Sequence, residues 1–578
     1  MGIKYFFSWI KRTFPDYITT IKVNNYNNKE NDNKENNDNV MNIDNFLIDM
    51  NGIFHYCCQK VYCYGSFKNL DPDHKYKKTS SKVKQNRLFE MIGNYVDKLI
   101  TIVKPNKRVV LAIDGVAPLS KICQQKSRRF KSSIENDDGV FDSNCITPGT
   151  KFMDQLSRYI DWFLRKNMNI KKWGDIQVIF SSEKSPGEGE HKLVKYVRMH
   201  GDKNESYMIQ GMDSDLVMLA LATHYPKFHI LRENPYRYEH EYYYINISGI
   251  RENVTNALLC EQSLLEDKIH INDFITMIFL TGNDFLPHLP TIEILDGGVE
   301  MLFETYRNVS KQYESLTNNI NKINLKFLKS FLGTLSMHEL PFLQEKRSKP
   351  INYPDVLLEK YTKLDGNGKF ILDFEKYKKE YYETKMNISS KEEIKKACLK
   401  YIEGLQWILT YYTVGVSDWK WYYPYNYAPF ISDLVEVLEE IQDPYLESKE
   451  IKNKMNGPYH PFLQLLCVLP KKSKDLLPSP LCDLIESKEL EKYYPDNFII
   501  DMDGKHNSWE GVVMIPHTDF NLVEKEYKKL LNKVDEKERR RNILGKSFLY
   551  SFSDFSYTFK SFFGDIKDCY TESSIFDL

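Results

Sequence analysis

Short apolar runs that each close on acidic residues set the pattern of the first 235 residues. Asn45 to Asp49 is one, with Gly52 permitting the turn that follows. Arg108 to Ile113 runs into Asp114, Asp175 to Ser182 leads to Glu188 and Glu190, and Tyr207 to Gln210 turns at Gly211 into Asp213, Ser214 and Asp215. Lys227 to Arg232 is a fifth run. Runs of this length bounded by turn residues read as buried strands. Helix-period segments alternate with them. Residues 3–14 form an amphipathic stretch carrying Phe6, Trp9 and Ile10 and stopped before Pro15, and residues 118–132 are helical. A helix to about Lys166 starts with Thr147 as N-cap and Pro148 at the first position. Another opens near Glu188 and Glu190 and ends at Gly201, and a further apolar run follows Asp215. Residues 24–40 are Asn-rich and almost devoid of apolar side chains, so a disordered surface loop is expected there. Strands alternating with helices predict an α/β fold, a mostly parallel central sheet flanked by helices.

In such sheets ligands bind beyond the carboxyl ends of the strands. Asp49, Asp114, Glu188, Glu190, Asp213 and Asp215 all fall at that end, and Asp284 joins them from the apolar stretch Asp273 to His288. One aspartate at a strand–helix turn is explained by helix capping. Seven carboxylates on one rim are not, and converging carboxylates repel unless a cation lies between them. Oxygen-only donors favour Mg²⁺, with Mn²⁺ as substitute, over zinc. Two such ions ~4 Å apart suit phosphoryl transfer. On the 118–132 helix, Lys121, Gln125, Arg128 and Arg129 share a face within roughly 100°. A solvated basic face is the ordinary explanation of such a set. Its position directly after an acidic strand end favours a phosphate pocket instead.

Composition narrows the picture. The formal charge of −1 removes any global basic field, so a nucleic-acid site must be local. Ten cysteines are scattered without a paired framework, as in a reducing compartment. His55, Cys57, Cys58 and Cys63 have no familiar zinc spacing. No apolar run reaches the ~18 residues of a membrane span, and a soluble, intracellular protein is expected. Beyond Pro290 the signal thins. Residues 346–397 read as a connecting segment, Tyr401 to Tyr412 as an apolar helix, and Ser417 to Asp433 as an aromatic cluster whose default explanation is core packing.

The motifs IDMNGI (48–53), DGVAP (114–118), QQKSRRF (124–130), NCITPGT (144–150), PGEGEHK (186–192), DSDL (213–216) and GNDFLPH (282–288) occur in order. Together they resemble the XRN family of 5′→3′ exoribonucleases, over residues 1–345 and again over 398–520. The resemblance implies a flap-nuclease-like (PIN-type) core at 1–345 and a mainly helical, aromatic-rich second segment at 398–520 that completes the active site. A tail follows at 521–578, as in a compact form lacking the long C-terminal extension. It further implies that the seven carboxylates bind the catalytic metals. Lys121, Gln125, Arg128 and Arg129 would hold an RNA 5′-monophosphate, and His55 and Trp421, rather than Trp419, would stack on the leading bases. The implied activity is processive, Mg²⁺-dependent hydrolysis of single-stranded, decapped 5′-monophosphate RNA to nucleoside 5′-monophosphates. The expected protein is a monomer of the cytoplasm, with the nucleus left open, adjacent to the decapping machinery. The rival readings are a flap-type DNA nuclease and an inactive RNA-binding scaffold.

Overall fold

A computed structural model describes residues 2–23, 42–68, 80–135, 141–237, 239–259, 266–319, 321–441, 456–554 and 557–573. The expected Asn-rich loop at 24–40 lies outside the described residues. Seven strands of the first half are β1 (Ile18–Lys22), β2 (Asn45–Asp49), β3 (Arg108–Ala112), β4 (Gln177–Ser181), β5 (Tyr207–Gln210), β6 (Phe228–Glu233) and β7 (Glu241–Asn246). They join Phe548–Ser551 and Tyr570–Ser573 in one nine-stranded sheet. Its centre, in the order β6, β5, β2, β3, β4, is parallel throughout. β7 and β1 extend one edge antiparallel, and the two C-terminal strands extend the other.

Both faces of the parallel centre are covered, which is why its strands are continuous apolar runs. Leu47, Val110, Ile179 and Ile209 face one core with Phe6, Trp9, Val194 and Leu219. Their neighbours Phe46, Ile48, Val109, Leu111, Val178 and Met208 face a second core with Phe54, Leu99 and Leu156. Alternation with period two thus sends adjacent residues of one strand into different layers.

Most of the expected helices stand within a few residues of their predicted bounds: Phe6–Thr13, Leu119–Glu135 and Gly189–His200. One start is corrected. The helix that leads into β4 begins at Lys151, capped by Thr150, whose hydroxyl accepts from the Met153 N–H at 3.2 Å. Thr147 instead donates its hydroxyl to Asn144 O at 2.7 Å. Gly149 between them has φ +92°, and a Cβ there would lie 2.9 Å from Pro461, so packing against a distant segment shifts the start by a turn. Thr-Pro thus sits in the preceding turn rather than at the cap.

The stretch read as a connecting segment carries helices of its own, Val356–Tyr361 and Phe374–Tyr381, around a core with Leu343, Tyr382 and Phe430. From it runs a long helix, Lys391–Thr413, opened by a capping box between Ser390 and Glu393. Residues read as a tail pair with the sheet: Phe548 opposes Phe180, and the buried Tyr550 donates to Asp161 at 2.6 Å.

Candidate metal centre and phosphate pocket

Parallel pairing aligns the strand ends, so side chains just past β2, β3, β4 and β5 meet on one rim. Asp49 ends β2 and accepts from the Asn51 N–H at 3.3 Å. Asn51 in turn accepts from the Asp114 N–H at 3.1 Å, tying the β2 turn to the β3 turn. Asp114 accepts from the Gly189 N–H at 2.6 Å. A Cβ on Gly189 would lie 2.8 Å from Asp49 Oδ1, so only glycine lets the backbone come this close to two carboxylates. Gly115 N–H donates to Gly187 O and Gly187 N–H to Val116 O, both at 2.8 Å, joining the two loops, and the buried Lys192 holds the second loop by donating to Ser182 O and Ser185 O at 2.9 and 3.1 Å.

Glu190, Asp213 and Asp215 offer carboxylate oxygens all within 4.8 Å of one another. Asp215 stands at the N-cap of Leu216–Ala222, yet its side chain makes no cap bond, which removes the capping explanation. Its Oδ2 accepts from the Tyr412 hydroxyl at 2.8 Å, while Oδ1 is buried without a partner. Glu188 accepts from Tyr411 at 2.8 Å. His191 stacks on that tyrosine with ring centres 3.7 Å apart. The long helix of the second segment thereby orients two carboxylates of the first.

Electrostatics separates the seven. Burial and the charges of Asp114 and Asp213 push Asp49 well up. Burial with Asp215 and Asp213 does the same to Glu190, and burial with Asp213 and Asp284 raises Asp215 to about 6. Such groups strain against one another and call for a cation. In this structure part of that charge is met by Lys121, which bonds Glu188 and reaches Asp284 Oδ2 at 2.7 Å. Despite burial, the Lys121 charge holds Asp284 below the usual carboxylate range. At Glu188 burial outweighs the same lysine, and the group rises to about 7. All seven expected carboxylates are thus in the rim or in contact with it. Their oxygen-only donor set and the orphaned Asp215 Oδ1 fit a hard divalent cation.

The expected phosphate face divides in two. Lys121 turns to the carboxylates. Gln125 and Arg129 are buried, and Arg128 is exposed. Arg129 Nη1 donates to Asn144 O and Oδ1, both at 3.3 Å, while its Nε and the Gln125 Oε1 are buried without partners. Burial and the neighbouring Arg128 lower Arg129 to about 9. His55 lies in the same field: burial, then Arg128 and Arg129, push it down to about 4, so its ring is neutral at pH 7. Trp421 stacks on Trp407 with ring centres 5.0 Å apart and 23° between planes. Trp419 accepts from the Leu119 N–H at 2.8 Å through its carbonyl, and so marks the start of the phosphate helix.

Sequence reasoning missed Tyr411, Tyr412 and Asn51 as partners of the carboxylates. Two adjacent hydroxyl-bearing rings at the end of an otherwise apolar helix were the available signal for the tyrosines. Among the described residues, no helix is long and apolar enough to cross a membrane.

Comparison with known proteins gives a consistent assignment. The family model described as "XRN 5'-3' exonuclease N-terminus" matches residues 1–139 and 131–234, and that described as "Xrn1 helical domain" matches 265–365 and 357–574. Human 5′-3′ exoribonuclease 1 is 30% identical over 94% of this chain and 35% of its own length. The Saccharomyces cerevisiae 5′-3′ exoribonuclease 1 is 28% identical over 96% of this chain and 45% of its own. The Drosophila melanogaster 5′-3′ exoribonuclease 2 homolog is 28% identical over 95% and 73% respectively. The chain thus spans between a third and a half of the length of the first two. The solved catalytic core of Rad2 bound to DNA aligns at 12% identity over 67% of this chain and 96% of its own, with a TM-score of 0.31, too low to carry an argument.

Proposed function

This chain belongs to the XRN family of 5′→3′ exonucleases, and from that premise we propose that it is a processive 5′→3′ exoribonuclease acting on single-stranded RNA with a 5′-monophosphate. The observation that carries the reading is the juxtaposition of two unsatisfied sites. Seven carboxylates crowd one rim, with Asp215 Oδ1 buried and unpartnered, and the helix that brings Lys121 to that rim also carries the buried Arg129, whose Nε is unpartnered.

Asp49, Asp114, Glu188, Glu190, Asp213, Asp215 and Asp284 would hold two Mg²⁺ ions, or Mn²⁺ in their place. When bound, such ions lower the pKa of water and neutralise charge on a scissile phosphodiester. The rest is the work of the chain's own groups. Arg128, Arg129 and Gln125 take the terminal phosphate, and Lys121 bridges that pocket to the rim. Tyr411 and Tyr412 fix the carboxylates of Glu188 and Asp215. His55, neutral at pH 7, offers one stacking face, and a tryptophan of the aromatic cluster offers the other. Aromatic stacking is sequence-tolerant, as a general exonuclease needs. Each turnover yields a nucleoside 5′-monophosphate and leaves a new 5′-phosphate on the shortened strand, so the substrate renews its own handle. Decapped RNA in the cytoplasm is the proposed substrate pool.

Matched 5′-phosphate RNA and DNA strands incubated with Mg²⁺ test the reading. RNA should be consumed to mononucleotides from its 5′ end. Preferential cleavage of the DNA strand would favour the flap-nuclease rival, and binding without turnover the scaffold.

A further inference from the structure

A cavity of about 970 Å³ opens beyond Asp284; Arg128 is among its lining residues, but none of His55, Gln125, Arg129 and Trp421 is. Nine Lys and Arg residues line it against five Asp and Glu, an excess at odds with the chain's net charge of −1. Part of that set is internally paired: Lys346 with Glu293, and Lys385 with Asp503. Five lysines are not. Among the described residues, Lys4, Lys11, Lys126, Lys131 and Lys505 have no carboxylate within ion-pair distance, Lys11 donating to the Tyr243 hydroxyl at 3.3 Å. Lys4 donates to Glu510 O at 3.2 Å, Lys131 to Ser508 O at 2.9 Å and Lys126 to Thr518 Oγ1 at 2.7 Å, all neutral acceptors. The Lys505 ammonium has no such partner, although the residue is only 8% exposed. Its charge is disfavoured by burial. An ammonium buried without its counter-ion is costly to maintain, and an anion in the cavity removes that cost.

The walls suit a base as well as a phosphate. Tyr5 and the half-exposed Trp509 pack with ring centres 5.3 Å apart at the rim, and Tyr425 lines the interior. Asp284 belongs both to this cavity and to the carboxylate rim, so the two are contiguous.

We propose that the cavity is a second nucleotide site that receives the nucleoside 5′-monophosphate released at the rim, with Lys505 and the neighbouring Lys4 taking its phosphate. The assignment rests on the exonuclease reading for the identity of the ligand.

Equilibrium dialysis of adenosine 5′-monophosphate against the full chain in EDTA tests it without reading turnover. Two molecules should bind per chain. Lys505→Met should weaken one of them at least tenfold while Arg129→Ala affects the other, and Lys505→Arg should retain both. Adenosine, lacking the phosphate, should not reach the Lys505 site. A single molecule per chain, or two sites indifferent to both Lys505→Met and Lys4→Met, would overturn the proposal. So would inorganic phosphate binding the Lys505 site as tightly as the nucleotide, because the site would then read only an anion. Two nucleotide sites in a protein without exonuclease activity would instead leave the cavity assigned and the functional reading refuted.

Discussion

The Lys121 ammonium lies 2.7 Å from Asp284 Oδ2, joining a helix just past β3 to a loop 163 residues further along the chain. The same ammonium bonds Glu188, so one cation is shared between two strand-end carboxylates. Losing it should therefore expose an uncompensated buried charge. In EDTA at pH 8, Lys121→Met should cost ~3–5 kcal/mol of unfolding free energy, the usual effect of breaking a buried pair from one side. Mg²⁺ should restore much of the loss. Urea denaturation with and without Mg²⁺ measures both, and an Mg²⁺-independent loss would place Lys121 outside the metal centre.

The raised carboxylates make metal binding pH-dependent. Asp215 at about 6 and Glu188 at about 7 hold protons in the folded state that an unfolded chain has already released. Their contribution to stability is present below the unfolded values and is lost as pH rises through 6 to 7. A divalent cation competes with those protons. The rise in Tm produced by Mg²⁺ should accordingly be small at pH 5 and grow to pH 8. Equal rises at both pH values would contradict the assignment.

Asp213→Asn and Asp215→Asn should each abolish hydrolysis while RNA binding persists. Loss of a group that merely supports a metal ligand costs ~10–100-fold, and loss of a ligand itself should exceed that. Turnover near the wild-type rate at saturating Mg²⁺ in either variant would remove these residues from the centre.

Stacking is read by product length. His55→Ala should impair processivity more than first cleavage, since each stacked base contributes ~1–3 kcal/mol to holding the strand. Trp419→Ala and Trp421→Ala separate the two candidates on the other side. Trp421 already has Trp407 on one ring face and Trp419 opens the phosphate helix, so both deserve the same single-hit assay. Unchanged product distributions in all three variants would return these rings to core packing.

The parallel centre of the sheet was legible because strands buried on both faces carry unbroken apolar runs. β7, by contrast, alternates between buried and partly exposed positions in Glu241–Asn246, and β1 is mostly polar, so neither announced itself. Phe548–Ser551 is four residues long and is held by pairing with β4 on one side and Tyr570–Ser573 on the other. The carboxylates were readable from position alone, since a strand end fixes where a side chain emerges. What local sequence does not hold is contact between segments. Lys121 reads as one more cation on a helical face until Asp284 and Glu188 are folded beside it. Tyr411 and Tyr412 read as core until their hydroxyls meet Glu188 and Asp215. The misplaced helix start at Thr147 has the same origin, a distant Pro461 packed against Gly149.

The central claim is that Arg128 and Arg129 recognise a 5′-monophosphate for cleavage at the adjoining rim. Its most direct test is the ratio of cleavage rates for 5′-phosphate and 5′-hydroxyl RNA, measured in the wild type and in Arg128→Ala/Arg129→Ala with Mg²⁺. Two charge-assisted bonds of ~1.5–3 kcal/mol each predict that the double variant loses on the order of 10²–10⁴-fold on the phosphorylated strand. The hydroxyl strand should change little, so the two rates should converge. A double variant that keeps the wild-type ratio would show that this helix does not sense the 5′ end.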